Sequence, residues 1–245
     1  MKTVKKSLWA LIAVIFWVAV WSFAAAIIGN RFFLPSPWQT IIALMELICT
    51  PEFYKVIMFT LLRVITGLTV GIILGASLGI LCYRFPIITS FVSLPMAVIK
   101  ATPVASFIIL LWVLLHGDSL AVLVAIMMVL PIVWQNTLDG FSSLDKQLLE
   151  VCHVYSLSFR EKFKVLYFPM IYKFLYPAII TSVGLAFKAE IATEIIAYTK
   201  NSIGQNINDA KTALLTPTVF AWTFVIIVFS ILLETGTRHL LRRHR

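Results

Sequence analysis

The sequence predicts an all-α polytopic membrane protein with six transmembrane helices, one long cytoplasmic loop and both termini in the cytoplasm. Three observations predict it. The 245 residues are 60% hydrophobic and only 13% charged, with a mean hydropathy of +0.96, so a soluble fold would have a core and almost no surface. Six apolar stretches approach or exceed the ~20 residues a helix needs to cross a ~30 Å hydrocarbon layer. They are too long for barrel strands of ~10 residues, and backbone groups in hydrocarbon must be paired, so helices are required. Finally, one charged stretch, Asp139 to Pro169, separates the fourth apolar run from the fifth.

Each element follows in order. Leu8–Ile28 comes after Lys2, Lys5 and Lys6. Ala24-Ala25-Ala26 has the look of a leader-cleavage site, but the run exceeds the ~7–15 apolar residues of a secretory leader, so a retained first span is expected. Asn30–Glu52 lies outside and holds a short surface helix, Trp38–Ile48, opening after Ser36-Pro37. The second and third spans are Val56–Leu81 and Ile88–Leu115, followed by the tight outer turn His116-Gly117-Asp118-Ser119. Leu120–Leu138 is the fourth span, Met170–Ile196 the fifth and Pro217–Leu233 the sixth, with Thr199–Thr216 outside between the last two. With the N-terminus inside, only Arg31, Lys55, Lys200 and Lys211 face outwards. Arg84, the cations of the long loop and the basic tail then lie in the cytoplasm with the N-terminal lysines. The net charge of +9 is therefore retained loop charge rather than a nucleic-acid surface.

Several chemistries are excluded. Cys49, Cys82 and Cys152 form no CxxC or Cys/His cluster and read as small apolar residues. No GxxxxGK[ST] phosphate loop occurs, so the chain has no ATPase site of its own. No nucleophile–base set or paired metal ligands stand at membrane depth, and no metal site is expected. His116 and Asp118 are turn residues, and His239 and His244 sit in a basic tail suited to lipid headgroups.

Ionisable groups within spans are costly and either pair or face an aqueous path. Arg63, Lys100, Lys188, Glu190 and Glu194 are the candidates. Glu190 and Glu194 are one turn apart and share a face, which Lys188 does not. Two readings stay open: interhelical ion pairs, such as Glu194 with Arg63, or a translocation path in which Arg63, Lys100 or Lys188 attracts an anion. Gln135 and Asn136 read as interhelical hydrogen-bonding residues. Gly67, Gly71, Gly75 and Gly79 recur every four residues in the second span, giving a small-residue stripe for close helix approach or for a moving wall of the path.

The long loop reads as two short helices. Asp145–Tyr155 carries Leu148, Leu149, Cys152 and Tyr155 on one side, with Lys146, Glu150 and His153 elsewhere. After a break at Ser156-Leu157, Ser158 opens a second helix and Glu161 completes a capping box. Phe163, Leu166 and Tyr167 give that helix an apolar face, and Pro169 marks the entry to the fifth span. Such a knob with an exposed apolar face suits docking into a groove on a partner protein.

The loop resembles that of permeases of bacterial binding-protein-dependent ABC importers. Their motif is Glu-Ala-Ala, three residues, Gly, nine residues, then Ile-x-Leu-Pro. Here the spacing reads Glu150-Val151-Cys152, Ser156, then Leu166-Tyr167-Phe168-Pro169, with serine in place of the glycine and Val-Cys in place of Ala-Ala. Leu34-Pro35-Ser36-Pro37, Thr60-Leu61-Leu62-Arg63, Pro131 through Asn136-Thr137 and Ser202-Ile203-Gly204 are similar, in order, to the nitrate/sulfonate/taurine-type subfamily.

The resemblance implies a single transmembrane permease domain over 1–245, with a core region of 56–238 and a coupling loop of 139–169. It also implies a second permease copy as a homodimer, a cytoplasmic ABC ATPase dimer and an extracellular or periplasmic solute-binding protein. Glu150, Val151, Cys152, Ser156, Leu157 and Pro169 would couple to the ATPase, which uses ATP and magnesium, while this non-enzymatic chain binds no cofactor. The place would be the bacterial cytoplasmic membrane, and the cargo a small organic or inorganic anion such as a sulfonate or nitrate. Glu194 matches a glutamate of the family's fifth span. Serine at a left-handed glycine position costs about 1 kcal/mol, and we expect a modest reshaping of the bend with docking retained. The alternative is an ATPase-independent secondary transporter or channel, which predicts broken spans or repeats.

Overall fold

A computed structural model describes residues 2–242, with the side chains at positions 2–7, 10, 146, 149, 153 and 159 left outside the description. The expected roles of Lys2, Lys5, Lys6, Lys146, Leu149 and His153 therefore lie outside the described residues, as do Arg243, His244 and Arg245.

The described chain is helical, without strands. Its elements are α1 (Lys2–Ile28), α2 (Pro37–Ile48), α3 (Pro51–Arg84), α4 (Pro86–Ala101), α5 (Val104–Trp112), α6 (Asp118–Ser142), α7 (Lys146–Val154), α8 (Phe159–Lys162), α9 (Phe168–Ile196), α10 (Ile203–Thr212) and α11 (Thr216–Arg242). Within α1, α3, α6, the run Arg160–Ile196 and α11 lie helices long and apolar enough to cross a membrane. The short surface helix is present as α2, opened by a Ser36–Gln39 capping box with Pro37 in its first turn.

Two expectations about the spans need correction. The third apolar run is not one continuous helix: α4 and α5 are bent by 104° at a short break. Pro103 has no N–H and disfavours helical geometry at the residue before it, and Thr102 is extended at φ −82°, ψ 130°. The second loop helix, in turn, does not end before the fifth span. Ser158 and Glu161 make the expected capping box, but α8 continues into α9 through a π-helical turn, Phe163–Tyr167. Pro169 explains the turn, because it cannot donate to the ladder and its ring crowds the carbonyl four residues back.

The centre of the fold is α6, packed between α3 and α9. The four glycines of α3 face it one for one. Cβ atoms added at Gly67 and Gly79 would lie 2.5 Å from the Ala125 Cβ and 2.6 Å from the Thr137 Cβ; at Gly71 and Gly75 they would meet Val129 and Val133 at 2.8 and 2.9 Å. Rows of every fourth residue on both helices thus interlock with the backbones in near contact. At one end Phe53, Val56, Phe187, Ile203 and Trp222 close a second core between α3, α9, α10 and α11. By contrast, α1 packs chiefly on α2, and only 6% of its spanning stretch is buried.

Helices α7, α9 and α10 end alike, each on a non-glycine residue in the left-handed region: Ser156 (φ 50°), Tyr198 (φ 52°) and Leu214 (φ 57°). The next residue's N–H reaches back to Cys152, Glu194 or Ala210 at 2.8–3.1 Å, the six-to-one bond of a Schellman cap. The bend at Ser156 holds the left-handed form and bears the Cβ cost, since Leu157 packs with buried Cys152 beneath it.

Candidate functional site

Three sites meet the sequence candidates. The first is the knob below α6. Asp145 Oδ1 accepts the Gln147 N–H at 2.9 Å, holding the start of α7. Leu144, Cys152 and Leu166 form a small buried core, with Leu157, Tyr167 and Met170 packed on it. The apolar stripe is thereby divided: Cys152 is buried, whereas Leu148 and Tyr155 stay exposed. Val151, Val154 (80% exposed) and Tyr155 (75%) form an apolar cap with Glu150 exposed beside it. Ser156 turns the chain at the edge of the cap. Pro169 stands apart at the start of α9, shaping the helix rather than the cap.

The second site is a buried polar lock joining α3, α6, α9 and the α9–α10 loop. Arg63 Nε donates to Asp118 Oδ1 at 2.8 Å, and Nη1 to Glu194 Oε1 at 3.0 Å. Nη2 donates to the Lys200 carbonyl at 3.0 Å. The Thr60 hydroxyl donates to Glu194 Oε1 at 2.6 Å and accepts from the Ile203 N–H at 3.3 Å. The Gly204 N–H donates to Glu194 Oε2 at 3.1 Å. Glu194 therefore sits at the N-terminus of α10, where helix dipole and free N–H groups favour a carboxylate. A Cβ at Gly204 would lie 2.4 Å from that of Glu194, so only glycine allows this approach. Two stretches that carried the family resemblance, Thr60–Arg63 and Ser202–Gly204, meet on Glu194.

Asp118, the Lys200 carbonyl and Gly204 are partners that sequence reasoning missed. The available signal was an arginine inside a span, which requires acceptors, with an aspartate at the start of the next long helix. Asp118 is thus an ion-pair partner as well as a turn residue. Gln135 and Asn136 also differ from expectation: they bond within α6, to Asp139 Oδ1 and the Ile132 carbonyl, both at 2.9 Å. Glu190 shares the Glu194 face and is fully buried, and its carboxylate has no hydrogen-bond partner among the described residues.

The third site is the break between α4 and α5. A cavity of about 240 Å³ lies there, lined by Lys100, Thr102, Met127, Met128, Pro131 and Leu185. The Lys100 ammonium stands 5.8 Å from the Trp134 ring centroid, a cation–π distance. Irregular backbone at membrane depth is tolerated where it lines a cavity. Lys188 is exposed on α9 and joins neither lock nor cavity.

This architecture has relatives. Residues 67–245 match the family described as binding-protein-dependent transport system inner membrane component. The chain is 23% identical over 229 residues, 92% of its length and 82% of the other's, to the aliphatic sulfonates transport permease protein SsuC of Bacillus subtilis. It is 27% identical over 178 residues, 67% of each chain, to the formylaminopyrimidine transport permease protein ThiX of Halalkalibacterium halodurans. The long apolar helices and a match over most of the sequence agree, and the chain belongs to the binding-protein-dependent transport system inner membrane components, the permeases of ABC importers.

Proposed function

We propose that this permease forms, as a homodimer, the pathway of an ATP-binding cassette importer for a small organic or inorganic anion, such as a sulfonate or nitrate. An external binding protein delivers the cargo. The chain, one permease domain over 1–245, crosses the bacterial cytoplasmic membrane six times, the bent α4–α5 pair counting once, with both termini inside. Its cytoplasmic partner is an ATPase dimer that uses ATP and magnesium. The observation that carries this reading is the apolar cap of α7: Val151, Val154 and Tyr155 are exposed although the fold buries Cys152 and Leu166 beneath them. Apolar groups presented on a rigid, water-exposed knob gain by entering a partner's groove. Glu150 and the Ser156–Leu157 bend set the approach of the cap, and Pro169 ties its motion to α9.

ATP-driven closure of the partner then draws the two knobs together and rocks the permeases between inward and outward states. Lys100 at the α4–α5 cavity supplies positive charge to the path, with Lys188 as a further cation on the exposed side of α9. Arg63, Glu194 and Glu190 border it. The glycine seam of α3 lets α3 and α6 move as one body. SsuC, by its name a transporter of aliphatic sulfonates, supports an anionic cargo.

The test is capture of the ATPase by the full chain in nanodiscs. Wild type should co-purify an ATPase; Val154→Asp and Glu150→Ala should lose it while keeping thermal stability. A second reading follows from the broken span, which self-contained transporters also use. Transport by the chain alone in liposomes, with no ATPase captured, would favour that reading.

A further inference from the structure

We propose that the chain carries a site for one anionic glycerophospholipid, in the crevice where α1 stands away from α11. Two adjoining cavities build it. The first is a groove of about 530 Å³, within the ~300–1,000 Å³ of ligand-sized clefts. Its walls come from α1 (Val18, Trp21), α2 (Ile41, Leu44) and α11 (Phe220, Ile227). The two threonines that also face it, Thr40 and Thr223, donate to the carbonyls four residues back, of Ser36 at the cap of α2 and of Val219 in α11. The wall is therefore apolar throughout.

The second cavity, of about 360 Å³, runs along the last turns of α1 at Ser22, Ala25 and Ala26, and its lining is about half polar, through Asn30, Arg31, Ser36 and Gln39. Leu34 lines both cavities. Among the described residues that line the polar end, Arg31 is the only charged one. Its guanidinium lies 5.4 Å from the Phe32 ring centroid.

The crevice is held open by three contacts. Trp21 Nε1 donates to the Pro35 carbonyl at 2.9 Å, and its ring stacks on Phe220 at 5.8 Å. Thr216 Oγ1 donates to the Phe32 carbonyl at 2.8 Å, fixing the loop against the start of α11. The short helix α2 carries exposed Trp38, a side chain suited to headgroup level. The groove beneath α2 therefore lies at acyl depth and the Arg31 end at phosphate depth.

The chemistry selects the occupant. In a bilayer, apolar walls alone give no preference, because lipid tails are as apolar as leucine. A fixed groove takes one chain by shape and dispersion contact, and the cationic, donor-bearing end selects a negatively charged headgroup. A helix from a second copy would match the groove and leave the Arg31 end without a phosphate.

Native mass spectrometry tests this on the full chain, reconstituted in bilayers holding equal phosphatidylglycerol and phosphatidylethanolamine. Wild type should retain one lipid per chain, enriched in phosphatidylglycerol about fivefold, as one cation at a membrane surface provides. Arg31→Gln should keep the lipid without the enrichment, and Arg31→Lys should restore it. Ile41→Trp, which fills the groove, should release the lipid. An unchanged headgroup ratio in Arg31→Gln overturns the proposal. So does lipid retained by Ile41→Trp, or cross-linking of Leu44→Cys to a second copy through the groove.

Discussion

The polar lock and the knob solve opposite problems. Arg63 and Glu194 are taken out of solvent, and the side-chain nitrogens and oxygens of that pair find partners within the same chain, although Glu190 one turn away on the same face finds none among the described residues. At the end of α7, the apolar side chains of Val151, Val154 and Tyr155 are left exposed. The first arrangement requires that α3, α6, α9 and α10 hold one mutual geometry; the second suits completion by another molecule. One region holds the permease together as a body, and the other is, in the function proposed above, where a partner would take hold of that body.

The comparison can be broken most severely at the lock. Glu194→Ala leaves the Arg63 guanidinium buried opposite a methyl group, and removing one partner of a buried pair costs about 3–5 kcal/mol. Detergent melting curves should show that loss, with Asp118→Asn far milder because Asp118 is largely exposed. Next comes the glycine seam. Gly67→Val would drive a side chain into Ala125, where even a Cβ stands at 2.5 Å, and overpacking of this kind costs about 1–3 kcal/mol. A milder Gly→Ala series along α3 should destabilise at each of the four positions, because every added Cβ meets α6 at under 3.0 Å, read as loss of monodisperse protein.

Smaller effects belong to the knob. Ser156→Gly relieves a Cβ in the left-handed region and should raise stability by about 1 kcal/mol while leaving ATPase capture intact. Val154→Asp, at an exposed position, should change stability by no more than about 0.5 kcal/mol and act on the partner alone. Leu157→Asp would be a poor probe of docking, because Leu157 packs on the buried knob core and its loss would unseat the bend itself.

Much of this was legible because hydrocarbon leaves the chain few choices. Apolar length set α1, α3, α6, α9 and α11, and the small-residue period set the face of α3 that meets α6. The Ser158–Glu161 box and the Ser36-Pro37 start were readable because caps are local. The 104° break was not read, although Pro103 stood in the run, since apolar composition alone does not distinguish a continuous span from a bent one. Arg63–Glu194 was foreseeable as a pair from the cost of lone charges in lipid. Asp118, the Lys200 carbonyl and Gly204 were not, because they come from connecting segments whose position only the packed helices determine. Ser156 shows the converse: serine does not favour a left-handed bend, yet one forms there with Leu157 packed on the core of buried Cys152.

The most direct test measures thermal stability and ATPase capture together on Glu194→Ala and Val154→Asp in nanodiscs. The account predicts a large fall in stability for Glu194→Ala, with the fraction that stays folded still capturing the ATPase. It predicts wild-type stability and lost capture for Val154→Asp. Capture of the ATPase by Val154→Asp at the wild-type level would contradict it.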